Sequence, residues 1–386
     1  MQSKKLPIDY TLVFLLGCLF IFSLLAIYSG SGQYASGNPM FFVQRQIMWY
    51  VIGFGVMMGV AYLDFELLEK WTLPFYISGV LLLILVRFIG IERNGAQRWL
   101  DLVVIEIQPS EFMKIFLVLH IAALLTKVGK YKLDFKESIP VTSKILLYTL
   151  LPTYLILDQP DLGTTMMILF AVFGLIFASS ISMKMVMLLF SLGIAGVMTL
   201  VYLFFNNFEL FNEIIADHQL SRIYGWLNPA EYSQGFGYQL QQALLGIGSG
   251  QLSGSGFTAG YQVQSGRIPE AHTDFIFAVI GEDFGFVGAS ILVILFFLLI
   301  YRIITIAFHA SSLFGVYICI GVIGLFAFQV FQNIGMTIGL MPITGLALPF
   351  VSYGGSALLT NMMAIGLVTS VHLRTKEYMF SSEETI

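Results

Sequence analysis

The stretch Gly266–Gly288, GRIPEAHTDFIFAVIGEDFGFVG, takes the chain from a polar loop into a long apolar run. The loop part carries four ionisable side chains, of which Asp274 is the last, and the apolar part continues as far as Arg302. Asp274 is therefore predicted to lie at a boundary between water and membrane. A carboxylate there remains reachable by water and protons, while the low dielectric beside it strengthens its charge interactions. Such a place suits chemistry on a lipid-linked molecule.

The composition of the whole chain indicates a membrane protein with several spans. Of its 386 residues, 57% are hydrophobic and only 11% are charged, and the mean hydropathy is +0.84. A soluble domain cannot bury so much apolar surface. The net charge of -4 is thinly spread and gives no indication of nucleic-acid binding. Cys18 and Cys319 each lie in an apolar run and are interpreted as core residues, not as a disulfide or metal pair.

Ten apolar stretches are candidates for membrane spans, since about 20 apolar residues cross roughly 30 Å of hydrocarbon. Their predicted limits are 10–28, 46–63, 73–90, 110–126, 145–157, 162–180, 185–205, 275–301, 314–335 and 350–372. The first is interpreted as a span and not as a signal peptide, because its apolar run is too long and no small-residue cleavage site follows. The predicted fold is an all-α polytopic membrane protein, with residues 1–386 forming one integral membrane domain.

Basic residues predict the orientation, because Lys and Arg in short loops are retained in the cytoplasm. With the N-terminus inside, twelve of the nineteen Lys and Arg residues fall on the cytoplasmic side, including every Lys except Lys114. Both termini are therefore predicted to be cytoplasmic. Residues 206–273, between the seventh and eighth spans, are then a large extracytoplasmic loop that leads to Asp274.

The middle of this loop, from Gly237 to Gly256, is rich in Gly, Gln and Ser. Its apolar residues nevertheless recur at helical spacing, at Leu240, Ala243, Leu244 and Ile247. This pattern predicts a short amphipathic helix that lies on the membrane face or dips into it. The alternative is a flexible Gly/Ser linker.

The fourth predicted span begins with the sequence IQPSEFMK. Ser110, after Pro109, is a predicted helix N-cap, and Glu111 falls in the first turn, where the helix dipole favours an anion. Lys114 follows at i+3 on the same face, so the two charges can pair. A lysine in a span is costly unless it is paired or functional. Two interpretations stay open: a structural ion pair at a helix start, or a pair lining a polar cavity in which the ammonium meets a phosphate.

Three further acidic residues call for a partner. Asp161 is predicted to cap a helix that starts near Leu162, and capping alone would explain it, although a second role at the outer face stays open. Glu282 and Asp283 lie roughly 12 Å deeper than Asp274 in the same predicted helix. They are predicted to face the bundle interior with a polar or basic partner and to serve structure or coupling.

The stretch from Met341 to Ser356, MPITGLALPFVSYGGS, interrupts the apolar pattern before the last span. Gly354 and Gly355 predict a tight turn or a close backbone approach. Irregular backbone at membrane depth persists only against protein or a water-filled cavity, which predicts a polar groove near the outer leaflet. The chain carries no Walker loop, dinucleotide fingerprint, H-E-x-x-H or G-x-S-x-G motif, which argues against nucleotide hydrolysis.

Six blocks of this sequence together resemble the SEDS family (shape, elongation, division and sporulation), the polytopic polymerases of bacterial cell-wall glycan. They run from the third span to the last, and their order and spacing make the resemblance specific. The blocks are GAQRW (Gly95–Trp99), QPSEFMK (Gln108–Lys114), QPDLGT (Gln159–Thr164), GYQLQQALLGIGSG (Gly237–Gly250), HTDFIFAVIGEDFG (His272–Gly285) and MPITGLALPFVSYGGS. The family usually has a proline where this chain has Ala347. The compact length and short termini are similar to the elongation member of the family.

The resemblance implies a peptidoglycan glycosyltransferase in the bacterial cytoplasmic membrane that polymerises lipid II at the outer face during elongation. It also implies that Asp274 is catalytic and takes the proton of the acceptor sugar hydroxyl. The implied partners are a class B penicillin-binding protein that supplies the transpeptidase, other elongation-complex membrane proteins and membrane lipids. A basic group or a divalent cation, magnesium or manganese, would stabilise the departing pyrophosphate. The sequence does not identify metal ligands.

The residues expected to bind substrate or to support Asp274 lie in the matched blocks or in the large loop. They are Arg98, Glu111, Lys114, Asp161, Arg222, Gln239, Arg267, His272 and Ser352. The four basic residues among them are the candidates for holding the pyrophosphate, and the sequence does not choose between them.

Two other functions stay open. A lipid II flippase, or another ion-coupled transporter, would also carry intramembrane charges, but near the bilayer midplane at a repeat interface. A scaffold that only recruits other wall-building proteins would not require Asp274. The clustering of polar motifs at the outer face favours the enzyme.

Overall fold

The computed structural model describes residues 9–32, 38–93, 96–101, 106–214, 217–232 and 235–381. These residues form an almost entirely helical protein. The elements in chain order are α1 (Tyr10–Gly30), α2 (Pro39–Tyr62), α3 (Phe65–Ile89), β1 (Ile91–Arg93), β2 (Ala96–Asp101), β3 (Glu106–Ile107), α4 (Pro109–Val128), α5 (Phe135–Asp158), α6 (Leu162–Ala178), α7 (Met183–Asn206), α8 (Phe208–Ile214), α9 (Asp217–Leu227), α10 (Phe236–Gly250), α11 (Tyr261–Gln264), α12 (Ile276–Phe308), α13 (Leu313–Thr337) and α14 (Gly355–Ser381).

Seven helices within the described ranges are long and apolar enough to cross a membrane: α1, α3, α5, α7, α12, α13 and α14. Helices α2, α4 and α6 also coincide with predicted spans, and the total of ten spans stays a prediction. The fifth predicted span, 145–157, lies within α5, which begins earlier, at Phe135. A capping box between Asp134 and Glu137 starts the helix in polar sequence, before its apolar part.

The helices differ strongly in how much of their surface is buried. Helices α4 and α13 are central, with buried residues on nearly every turn. Helix α7 is the opposite case, because only Met185 and Val186 of its 24 residues are buried. An apolar helix with so little protein contact requires an apolar solvent around it, which agrees with a membrane span.

A small antiparallel sheet was not predicted from the sequence. Strand β2 pairs with β1 on one side and with β3 on the other, between α3 and α4. It carries Arg98, and most of the GAQRW block is thereby placed on a strand, although Gly95 lies outside the described residues. The strands are too short to be separated from loops by an alternating hydrophobic pattern.

The connection between α7 and α12 contains the predicted amphipathic helix, which the structure confirms as α10. Leu240 and Ala243 are buried on its inner face, whereas Leu244 is exposed. Its last residue, Gly250, lies directly against α12, because a Cβ there would come within 2.0 Å of the Gly281 carbonyl oxygen. The flexible-linker alternative is therefore excluded for α10. Residues 215–216 and 233–234 of the predicted 206–273 loop lie outside the described residues.

Helix α12 is broken at Gly285, whose φ of 64° and ψ of -163° only glycine adopts easily. The chain after α10 fills the break: Ser255 N donates to the Glu282 carbonyl at 2.9 Å, and Phe286 N donates to the Gln251 carbonyl at 2.9 Å. Groups freed from the helical ladder are thus satisfied by the connection. The connection is anchored well inside α12.

Glu282 has the polar partner that its burial requires. Its two carboxylate oxygens accept the backbone N–H groups of Gln262 at 2.7 Å and Val263 at 2.9 Å. Asp283 accepts from Thr258 N at 3.4 Å. The predicted interior partners of these two acids are therefore the backbone amides of the connection and not basic side chains.

The orientation is tested with single cysteines at two exposed positions, Tyr131 between α4 and α5 and Glu231 between α9 and α10. In a chain with Cys18→Ala and Cys319→Ala, we expect an impermeant maleimide to label Glu231→Cys in intact cells. Tyr131→Cys should react only after lysis, because lysine-rich loops are retained in the cytoplasm. Labelling of position 131 but not 231 in intact cells would reverse the orientation.

Candidate active site

Asp274 lies two residues before α12, at the end of the connection from α7, and its side chain is partly exposed. Gly345, between α13 and α14, is its neighbour. A Cβ added to Gly345 would stand 3.3 Å from Asp274 Oδ2, and the residue has a φ of +76°. A larger residue would strain the backbone and crowd the carboxylate, so this position requires glycine.

We call residues 341–354 the Pro/Gly segment. It is not helical, and three buried amide side chains of α13 hold its backbone. Gln329 Nε2 and Gln332 Nε2 each donate to a carbonyl oxygen of the segment, at 2.8 and 2.9 Å. Asn333 Nδ2 donates to another at 2.7 Å and also to the Asp274 carbonyl at 2.8 Å. Asn333 thus joins the segment to Asp274.

These three amides were not predicted as functional from the sequence, although a signal was present. They lie at i, i+3 and i+4 in an otherwise apolar helix, and therefore on one face. Polar side chains that share a face of a span mark the side that meets protein or a polar cavity. Ala347, where the family has proline, offers only its carbonyl to Gln329, and a proline would offer the same group.

Helices α1 and α2 hold the segment from its other side. Tyr50 donates to the Phe350 carbonyl, and Ser23 Oγ donates to the Val351 carbonyl at 2.8 Å. Ser352, predicted to support the substrate, is buried. Its hydroxyl donates to the Thr273 carbonyl at 2.6 Å and accepts from a backbone N–H of the segment at 2.8 Å. Ser352 therefore fixes the residue next to Asp274, and its side chain is committed to backbone.

His272 is buried beside two aromatic rings, Phe42 at 4.7 Å and Tyr353 at 5.8 Å between centroids. Burial lowers the pKa of His272, and the charge of Glu270 opposes this shift. At neutral pH the ring is therefore mainly uncharged. Its position indicates that it packs the entry to α12.

The charges of four residues change the pKa of Asp274. Burial raises the pKa of Asp274 to about 6, and the nearby carboxylate of Glu270 adds to the increase. Arg222 and Arg98 lower this pKa, and Asp161 raises it. The structure therefore brings together Asp274 and three of its predicted supporting residues, and it adds Glu270. This set of five is called the Asp274 group below.

Arg222 has unused hydrogen-bonding capacity at a buried atom. It comes from α9, and its Nη1 donates to the Thr344 carbonyl at 3.0 Å, while its guanidinium lies 5.1 Å from the centre of the Phe236 ring. Its Nε is buried and has no hydrogen-bond partner among the described residues. Burial, and then repulsion from Arg98, lowers the pKa of Arg222. Both effects would be relieved by an anion.

Asp161 and Arg98 are fixed at the start of α6. Asp161 is its N-cap, as predicted, and accepts from Thr164 N at 3.1 Å and from Gln108 Nε2 at 3.2 Å. Arg98 Nε donates to the Gln159 carbonyl at 2.7 Å, and its Nη2 donates to the next carbonyl of the chain. These bonds hold both charges in place without using all of the guanidinium donors.

Glu111 and Lys114 form the predicted pair, with 2.6 Å between Lys114 Nζ and Glu111 Oε2. Both side chains are buried, and Thr360 Oγ1 of α14 donates to the same oxygen at 3.0 Å. The pair is thus joined to α14. Ser110 is not the N-cap of α4; Gln108 is, because Pro109 occupies the first helical position.

The structure does not bring Arg267 into the Asp274 group. Arg267 is exposed, and its guanidinium lies over the Tyr261 ring, 4.9 Å from the ring centre, with Nη2 donating to the Tyr261 hydroxyl at 3.1 Å. This is a surface cation–π contact. Gln239 lies in the first turns of α10 and is partly buried.

The arrangement is suited to proton transfer beside an anion. A carboxylate with a pKa of about 6 is largely ionised at neutral pH and still basic enough to accept a proton. Two guanidinium groups act on the same place and favour a phosphate or pyrophosphate. Across the described ranges, no group of three or more His, Cys, Asp and Glu residues is arranged to hold a metal ion.

The fold and this group define a helical membrane protein with a carboxylate site where a polar connection meets a long apolar helix. The chain belongs to the cell cycle protein family of FtsW, RodA and SpoVE, whose model matches residues 6–377. It is 36% identical over 373 residues to the peptidoglycan glycosyltransferase MrdB of Escherichia coli K12, covering 96% of this chain and 95% of the relative.

Solved structures agree with the fold. One is a chain described under "Structural coordination of polymerization and crosslinking by a peptidoglycan synthase complex", with a TM-score of 0.79 and 29% identity, covering 96% of this chain and 99% of that one. Another is the rod shape determining protein RodA of Thermus thermophilus, with a TM-score of 0.66 and 27% identity, covering 95% and 97%.

Removal of one partner of the Glu111–Lys114 pair should destabilise the protein strongly. Lys114→Met or Glu111→Gln leaves a buried group uncompensated, at a cost of about 3–5 kcal/mol. The double variant should cost clearly less than the sum, because neither partner is then left alone. The measurement is thermal unfolding of the purified protein in detergent.

The matched control is the more exposed ion pair between Arg87 and Asp158, whose charged atoms are 3.1 Å apart. Its two single variants and their double should be additive to within about 1 kcal/mol. Equal additivity in both cycles would show that the buried pair is not coupled.

Proposed function

We propose that this protein is a peptidoglycan glycosyltransferase that polymerises lipid II into glycan strands at the outer face of the cytoplasmic membrane during cell elongation. The observation that carries the proposal is the Asp274 group, in which a carboxylate with a pKa of about 6 lies in the field of two arginines. It stands in a chain whose relatives are named peptidoglycan glycosyltransferases.

The chemistry follows from these charges. The 4-hydroxyl of the acceptor sugar attacks C1 of the donor sugar, the bond from C1 to the pyrophosphate oxygen breaks, and its electron pair leaves with the undecaprenyl pyrophosphate. Asp274 accepts the proton of the attacking hydroxyl. Arg222 is our candidate to hold the departing pyrophosphate, because its buried Nε has a free donor direction. Arg98 adds positive charge at the same place.

A divalent cation, magnesium or manganese, would fit this group only if a protein carboxylate and the substrate phosphates coordinated it together. Magnesium is usually bound by one or two carboxylates together with substrate phosphates. Asp274 is the carboxylate that fits, because Asp161 is already engaged by α6 and Gln108. When bound, the cation would neutralise pyrophosphate charge. Asp274 and Arg222 themselves orient the reacting groups.

The proposed partner is a class B penicillin-binding protein, with other membrane proteins of the elongation complex. Support comes from the matched structure, whose description couples polymerization to crosslinking in one complex. This chain contains neither the S-x-x-K nor the K-T-G motif of penicillin-binding proteins, whose serine is the nucleophile of crosslinking. Crosslinking would therefore need a second protein.

The transporter alternative is less well supported by the buried charges. Lys114 is paired with Glu111, and Glu282 is occupied by two backbone N–H groups. Ion coupling requires a buried charge that can change its partner. These residues instead have the fixed contacts of structural elements.

Asp274→Asn should abolish turnover while leaving the fold intact. It preserves the size of the side chain and removes the proton acceptor, so the rate should fall by about a hundredfold to ten-thousandfold. The assay is lipid II polymerisation by the purified, monodisperse protein together with its partner, with lipid II binding measured in parallel.

Asp158→Asn is the matched control, because it makes the same chemical change in a surface ion pair. It should retain activity within about twofold. Near-normal polymer from Asp274→Asn would remove Asp274 as the base. Movement of lipid II across vesicles without polymer, in the parent protein, would favour the flippase.

The pH profile of kcat/KM should report the ionisation of Asp274. A base must be deprotonated, so the rate should rise with pH through about 6 and then level off, with about a tenth of the plateau one pH unit below. Arg222 lowers this pKa and Glu270 raises it. Arg222→Gln should therefore move the acidic limb to higher pH, and Glu270→Gln should move it to lower pH. Shifts in the same direction, or none, would contradict the assignment.

A further inference from the structure

A largely apolar cleft with two lysines lies at the opposite end of α4 from the Asp274 group. It is a cleft of about 400 Å³ between the end of α4 and the start of α5, with Lys127 and Lys144 among apolar wall residues such as Leu124 and Val141. Lys127 is 18 residues from the start of α4 at Pro109, and thus roughly 27 Å along the helix. The cleft is therefore separate from the candidate active site.

The cleft is held in shape by hydrogen bonds from the neighbouring α6–α7 turn. Leu133 N donates to the Ser180 carbonyl at 2.9 Å, and Ser180 Oγ donates to the Gly129 carbonyl at 2.7 Å. Ser182 N donates to the buried Ser138 Oγ at 2.9 Å. A turn tied at three points is ordered before any ligand arrives, which reduces the entropy cost of binding.

The cleft is lined by two lysines, Lys127 and Lys144, and one acidic residue, Glu137, so its lining is net positive. Between Lys127 and Lys144 the sequence contains five lysines and only two acidic residues. One of these two, Glu137, lines the cleft, but its carboxylate accepts the backbone N–H of Asp134 at 3.0 Å as part of the α5 cap. The retention of Lys and Arg in cytoplasmic loops explains why this loop is basic. It does not explain why two of the lysines converge on an apolar cleft.

An apolar stripe leads away from this cleft along α5. Pro140 and Lys144 line the cleft, and Leu147, Leu151 and Tyr154 continue at i+7, i+11 and i+14 from Pro140 on the same helix face. These three residues are 70%, 47% and 65% exposed. The lysines of the cleft therefore lie at one end of a continuous apolar stripe on α5.

We propose that this cleft binds an anionic phospholipid. The headgroup phosphate lies between Lys127 and Lys144, and an acyl chain follows the stripe from Leu147 to Tyr154. Lysines near a membrane surface attract anionic headgroups, and buried apolar area adds to the binding. A free phosphate would use the lysines but not the stripe.

The test uses the full-length protein in a neutral detergent and native mass spectrometry, with dioleoylphosphatidylglycerol and dioleoylphosphatidylcholine as probes. We expect one phosphatidylglycerol to be retained at least about tenfold more tightly than phosphatidylcholine. Lys127→Gln with Lys144→Gln should weaken this retention by roughly tenfold to thirtyfold. Leu147→Gln should weaken it less, by disturbing the stripe.

The matched control is Lys70→Gln with Lys184→Gln, which removes the same charge from exposed lysines outside the cleft. Retention in this control should stay within about twofold of the parent. An equal loss in the control would reduce the effect to general positive charge and overturn the proposal. Equal retention of both lipids, or full displacement of the lipid by excess inorganic phosphate, would overturn it as well.

Discussion

The position of the candidate active site depends on one requirement, which is that the carbonyl oxygens of the Pro/Gly segment find donors where water is scarce. Three amides of α13 donate from one side. Ser23 and Tyr50 donate from α1 and α2, and Arg222 reaches the segment from α9. Because Asn333 also holds the Asp274 carbonyl, the bonds that satisfy the irregular backbone also fix the carboxylate.

The same enclosure sets the electrostatics of the site. Burial raises the pKa of Asp274, Glu270 adds to that increase, and the two arginines partly oppose it. Elsewhere in the bundle, Lys114 and Glu282 are matched at short range. Basic residues also lie near the two ends of α4: the arginines beside Asp274 and the lysines of the α4–α5 cleft. These are the two places where we propose that anionic groups bind.

Two glycines allow close backbone contacts near the start of α12. Gly285 breaks α12 and exposes backbone groups, and the chain after α10 satisfies them. Gly345 allows the Pro/Gly segment to pass beside the Asp274 carboxylate. A sequence shows such glycines as turns, but it does not show that one of them lies inside a helix. Nor does it show that the Ser352 hydroxyl donates to the Thr273 carbonyl, next to Asp274.

The sequence by itself determined the helical membrane class, the approximate positions of the long helices, the Glu111–Lys114 pair and the cap at Asp161. These features depend on local spacing, hydropathy and helix geometry, which are written in consecutive residues. Only the tertiary structure decided which charges meet Asp274, because Arg98, Asp161, Arg222 and Glu270 come from four separate parts of the chain. It also separated Arg267 from them and revealed the α13 amides as their support. Hydrogen bonds and electrostatic fields act through space, and residue spacing along the chain does not record those distances.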